Sequence, residues 1–261
     1  MKNSITVLLI SLIAFVVIVP QMADAQKLPG IQTSSVRAPT DIKIDGKPTE
    51  WPHFEAYNNA NEFYYTISND NNNLYLVVQA TYHGTIAKIV YGGITFTIKN
   101  NDKNSQIIPV AITYPYMLNS PGNVSYVLRT NKTLSEEQLS ALNSEISGPI
   151  KEIPLTGAKG IQGESISIYN DLGIKANGIV DHQKAYTIEL AVPLKYIEQV
   201  IDANGNFSYR LQVNGLDTSG KNGIIVVGGR GSEPSAVPVS DSNANFLVSP
   251  TYLDGSYTLA K

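Results

Sequence analysis

An all-β, mainly antiparallel fold, a two-sheet β-sandwich of jelly-roll-like form, is the class this sequence predicts. Short runs rich in Val, Ile, Tyr and Thr recur along the chain, and clusters of Asn, Gly, Asp and Pro separate them. No segment repeats at the fixed period that a solenoid or propeller would need.

The predicted strands are Phe63–Ile67, Leu74–Ala80, Gly93–Lys99, Ile107–Tyr114, Val124–Leu128, Ala185–Val192, Phe207–Val213, Ile224–Val227 and Tyr252–Leu259. Asn204-Gly205 and Asp254-Gly255 supply residues that accept left-handed backbone, so both read as tight turns. One helix interrupts the pattern. Thr133 can cap it, Glu136 and Glu137 suit its positive end, and Leu134, Leu139, Leu142 and Ile146 form an apolar stripe. A shorter helix is expected after Pro193, from Leu194 to Val200.

The N-terminus has a different character. Lys2 precedes an apolar run from Ile5 to Val19, broken only by Thr6 and Ser11, and Ala23-Asp24-Ala25 then offers small residues to a signal peptidase. The reading is a secretory signal over residues 1–25, cleaved after Ala25, because the run is shorter than the roughly 20 residues a membrane span requires. A linker over 26–39 and one sandwich domain over 40–261 complete the expected organisation, with 115–180 as an enlarged insertion. The expected destination is the periplasm or the medium, with no membrane attachment after cleavage.

Composition narrows the chemistry. The chain has no cysteine, hence no disulfide, no thiolate metal site and no lipid anchor on a cysteine following the signal. Removing the leader leaves about 235 residues, enough to bury a stable core without covalent staples. A net charge of −3 with scattered basic residues gives no footprint for nucleic acid.

Three ordered segments resemble the family 9 carbohydrate-binding modules and their DOMON-like relatives. The first is Ile42-Lys43-Ile44-Asp45-Gly46-Lys47-Pro48-Thr49-Glu50-Trp51, similar to that family's opening strand and turn. The second runs from Tyr65 through Asn69-Asp70-Asn71-Asn72-Asn73 to Leu74-Tyr75-Leu76. The third comprises Tyr186-Thr187-Ile188-Glu189-Leu190-Ala191-Val192-Pro193-Leu194, Leu211-Gln212-Val213-Asn214 and Lys221-Asn222-Gly223-Ile224-Ile225. The resemblance implies an extracellular, non-catalytic sandwich that recognises polysaccharide chain ends by clamping a sugar ring between two tryptophans. The only tryptophan, Trp51, falls in the opening turn and reads as a core anchor. At the clamp positions this chain offers Tyr91 and, after Ile225, Val226 and Val227. Tyr91, Arg230 and Gln212 are therefore the expected ligand-binding residues, with tyrosine stacking on the sugar and the other two reading hydroxyls. The competing reading is an envelope structural or protein-interaction sandwich that has lost the sugar site.

No cofactor is expected. Asp202-Ala203-Asn204-Gly205-Asn206 and Asp241-Ser242-Asn243-Ala244-Asn245 place oxygen atoms where calcium loops have them, but neither continues to the later glycine and bidentate glutamate; the family resemblance implies a structural calcium, for which Asp70 beside Asn71–Asn73 is the candidate. The DOMON-like side of the resemblance implies haem, for which Met117, His53, His83 and His182 are the available ligands. No nucleophile elbow, zinc-binding helix or phosphate loop is present, so the expectation is a binding protein and not an enzyme.

Overall fold

A computed structural model describes residues 27–117, 124–130, 133–216 and 244–261. Eleven strands lie in these residues: β1 Ala56–Asn58, β2 Phe63–Asn69, β3 Asn73–Ala80, β4 Ile94–Lys99, β5 Val110–Tyr114, β6 Glu152–Thr156, β7 Ser165–Ser167, β8 Lys175–Val180, β9 Tyr186–Pro193, β10 Asn206–Val213 and β11 Thr251–Thr258. They form a five-stranded sheet, β1-β2-β3-β9-β8, and a six-stranded sheet, β11-β10-β4-β5-β6-β7. Every strand pair is antiparallel. The predicted two-sheet sandwich is the fold of this chain.

The sheets join through alternating side chains. β4 buries Ile94, Phe96 and Ile98 and turns Thr95, Thr97 and Lys99 outward, while β10 buries Phe207, Tyr209, Leu211 and Val213. From the other sheet, Phe63, Tyr65, Ile67, Leu76 and Val78 enter the same core. The Tyr65 and Tyr209 hydroxyls meet at 3.0 Å across the interface, so two buried polar atoms satisfy each other.

Among the described residues four helices accompany the sheets: α1 His83–Gly92, α2 Val124–Arg129, α3 Glu136–Ser147 and α4 Ala244–Val248. The expected strand Val124–Leu128 is α2, a helix that packs against α1 and α3. The α3 stripe is buried as predicted at Leu139, Leu142 and Ile146, but its cap is Ser135 and not Thr133. Ser135 Oγ accepts from Gln138 N at 3.2 Å and Gln138 Oε1 accepts from Ser135 N at 3.0 Å, a reciprocal capping box. The segment after Pro193 forms two short 3-10 turns, Leu194–Tyr196 and Glu198–Val200, in place of one helix.

Sequence reading missed α1 because Thr85 through Tyr91 are all buried, which erases the amphipathic period, and because Ile86, Ile89 and Val90 favour strands. Its end was legible in principle: Gly93 takes φ 78° and returns its N–H to Ile89 O at 2.7 Å.

Two further stretches join the sheets. The stretch read as a linker, 26–39, is part of the sandwich from residue 27: Gln32 is buried, donates Nε2 to Ile67 O at 2.8 Å and accepts from Ile67 N at 2.7 Å. Val36 and Ala38 then bond to Asn69, so this segment satisfies the edge of β2 beyond the end of β1. The stretch 115–180 contributes strands to both sheets, with β8 pairing along β9 and β6 along β5.

Lys88 of α1 is 1% exposed. Its Nζ donates to Thr251 Oγ1 at 3.1 Å and lies 4.9 Å from the Phe246 ring centroid, with no carboxylate paired to it among the described residues. Burial pushes this amine below the ordinary lysine range. With the folded value depressed, the unfolded chain binds more protons, and native stability rises with pH up to the ordinary lysine value of about 10.4. Lys88→Met should raise the unfolding free energy by about 1 kcal/mol near neutral pH, a gain that shrinks toward alkaline pH. Urea unfolding of both proteins across pH tests this, and a Met variant less stable at pH 7 would contradict it.

Candidate functional site

The outward face of the six-stranded sheet collects polar side chains by strand parity. Because β10 buries its odd-numbered residues, Asn206, Ser208, Arg210 and Gln212 point away from the core. Register places Gln212 between Tyr252 of β11 and Thr95 of β4, and Thr95 beside Thr113 of β5. The next row holds Asp254, Arg210, Thr97 and Ala111.

Polar contacts knit these rows together. Gln212 Nε2 donates to Asn214 Oδ1 at 2.9 Å, and Asn214 Nδ2 donates to Thr95 Oγ1 at 3.0 Å and to Gly92 O at 2.9 Å. Thr95 and Thr113 hydroxyls are 2.8 Å apart. Arg210 forks onto Asp254, Nε to Oδ1 at 2.9 Å and Nη2 to Oδ2 at 2.7 Å, and its guanidinium carbon lies 4.0 Å from the Tyr252 ring centroid. That hydrogen-bonded pairing holds the Asp254 carboxyl below the usual range, and Lys99 adds to it from 3.7 Å. Tyr252 is 54% exposed, so arginine backs one side of a ring that still meets solvent.

Two grooves border this face. One, of about 570 Å³, runs between Ile31–Ser35 and Asp254–Thr258; the other, of about 420 Å³, lies over the turn from Lys99 to Pro109. Ser208 lines both.

Of the expected ligand residues, Gln212 belongs to this face. Tyr91 does not: it lies near the end of α1, 8% exposed, and its ring is part of the main core. Its helix does reach the site, since Gly92 O accepts from the Asn214 side chain. Arg230, the Ile224–Val227 strand and the signal segment lie outside the described residues. Arg210 and Tyr252 were missed; β10 parity could have given Arg210, whereas Tyr252 enters only through the pairing of distant strands.

Trp51 is the core anchor expected of it. It is 7% exposed, packs on Tyr75, Val77 and Ala191, and donates its indole N–H to Glu189 Oε1 at 2.9 Å. The calcium-like carboxylates serve their own turns: Asp70 Oδ1 accepts from Asn72 N and Asn73 N, and Asp202 Oδ1 from Asn204 N and Asn206 N. The Asp241–Asn245 pattern begins outside the described residues. Among the described residues no group of three or more His, Asp or Glu could hold a metal ion. His53 bonds Glu55, His182 lies 3.2 Å from Glu136, His83 stacks on Tyr82, and Met117 is in the core.

Fold and face together define an antiparallel β-sandwich whose six-stranded sheet carries, among the described residues, an outward row of polar side chains and an arginine-backed tyrosine. No family model, curated protein or solved structure matches this chain.

Proposed function

We propose that this chain is an exported, non-catalytic domain that binds polysaccharide on the outward face of its six-stranded sheet. The observation that carries the reading is Tyr252, an exposed ring backed by Arg210 and in register with Gln212. An aromatic face stacks on the C–H side of a sugar ring, and amide, hydroxyl and guanidinium groups beside it meet the hydroxyls. The three segments that resemble family 9 carbohydrate-binding modules support the same reading. The opening turn of that resemblance docks on Glu189 of the third segment, and Gln212 lies in the third segment itself. The N-terminal leader pattern supports export to the place where polysaccharide is met.

Calorimetry with xylan, cellulose and glucan oligosaccharides tests this. Tyr252→Ala should weaken binding about tenfold, equivalent to about 1.4 kcal/mol, while circular dichroism stays that of the native sandwich. Absence of saccharide binding at millimolar concentration, or a Tyr252→Ala protein that binds as well as wild type, overturns the proposal.

One observation favours a protein-interaction sandwich as the second reading. β11 is an eight-residue edge strand beside the larger groove, and such an edge can accept an added strand from a partner. A protein partner lost when Ser34 and Ser256 are both changed to lysine would select that reading.

A further inference from the structure

We infer that the groove over the Lys99–Pro109 turn takes the acid groups of an anionic polysaccharide, carboxylates of uronic acid units above all. This rests on the sugar-binding reading of the adjoining sheet face. The groove, about 420 Å³, is lined by Lys99, Asn101, Asp102, Lys103, Ser105 and Ser208 among others. Its charges are unevenly matched. Asp102 Oδ1 accepts from Asn104 N at 2.9 Å and so serves its own turn, while Lys103 is exposed and in no ion pair among the described residues.

Lys99 is also undercompensated. Its ammonium is 3.7 Å from Asp254 Oδ1, but both oxygens of that carboxylate already receive Arg210 at 2.9 and 2.7 Å. The groove therefore presents two cations against the one carboxylate of Asp102, a locally positive lining on a chain whose net charge is −3. Lysine is a compact charge on a flexible stem, suited to carboxylates arriving from several directions along a polymer. Ser208 stands in register with Lys99 on the sheet face, and its hydroxyl donates to Asn101 Oδ1 at the start of the turn. Through Ser208 the groove is continuous with the face that carries Arg210 and Tyr252, so one chain can stack on the ring and place its acid groups at the lysines.

Calorimetry of the exported chain with oligogalacturonate, a sulfated dextran and a neutral xylo-oligosaccharide tests the inference. Oligogalacturonate should bind about tenfold tighter than the neutral sugar at about 20 mM salt, and the preference should fade by about 500 mM as screening shortens. Lys99→Gln with Lys103→Gln should abolish the preference, and Lys103→Gln alone should roughly halve it while leaving neutral binding and the unfolding midpoint unchanged. Equal binding of acidic and neutral sugars, or a double variant that keeps the preference, overturns the inference and leaves the sheet-face proposal standing. Binding of the sulfated polymer alone overturns the assignment to uronates. No binding of any of the three overturns both.

Discussion

Replacing Glu189 by alanine should lower the unfolding free energy by about 3–5 kcal/mol, the cost of stranding several buried donors at once. Glu189 lies on β9, 0% exposed, beneath the segment from Ile42 to Phe54. Its Oε1 accepts from the Trp51 indole, and its Oε2 accepts from Asp45 N at 3.0 Å and Gly46 N at 2.8 Å. One carboxylate thereby closes the opening turn over the outer face of the five-stranded sheet. Gly46 is required there, since it takes φ 82° and a Cβ would stand 2.9 Å from Ile179 N. Burial pushes the Glu189 carboxyl above the usual range and the three N–H donors pull it partly back. Because the folded value is raised, this titration favours the native state below the ordinary carboxylate range and disfavours it as pH rises through the folded value. The alanine variant removes that gradient together with the acceptors. A fall in melting temperature of roughly 10 °C should accompany the loss. A variant within about 1 kcal/mol of wild type would show that the turn is held by Trp51 packing alone.

How much of this was legible follows from what each residue's environment shares with its sequence neighbours. β4 could be read because Ile94, Phe96 and Ile98 alternate with Thr95, Thr97 and Lys99, a period that a half-buried strand imposes. α1 could not, because a helix buried on all sides has no period to display. Tyr91 was misplaced for that reason: read as a tyrosine just before a strand, it belongs to the buried end of a helix. The candidate site was legible only along β10, where Gln212 shares a face with Arg210, and not across strands. Tyr252 reaches Gln212 through a pairing between residues 40 positions apart that no local pattern encodes. Trp51 was read correctly as an anchor, yet its partner Glu189 is 138 positions away, and a buried glutamate looks in sequence like any other.

The Asp254-Gly255 pair is a second case in which the local pattern misleads. It was expected as a turn, but it sits in the middle of β11, with Gly255 opposite Tyr209. The glycine is there for space: a Cβ would lie 2.3 Å from Tyr209 Cζ and 2.4 Å from its hydroxyl oxygen. Tyr209 cannot move aside easily, being 0% exposed and bonded to Tyr65 across the two sheets. Valine at 255 adds strand propensity of at most about 1 kcal/mol. Against this stands the overpacking of a close-packed interior, so Gly255→Val should destabilise by about 2–3 kcal/mol. Urea unfolding measures it, and a double-mutant cycle with Tyr209→Leu locates the cause. If the ring is the obstacle, the two changes together should cost at least about 1 kcal/mol less than their sum, whereas additive costs would place the strain elsewhere. Displacing Tyr209 would also disturb its neighbour Arg210 on the same strand, so the Gly255→Val protein should bind saccharide more weakly even where it remains folded.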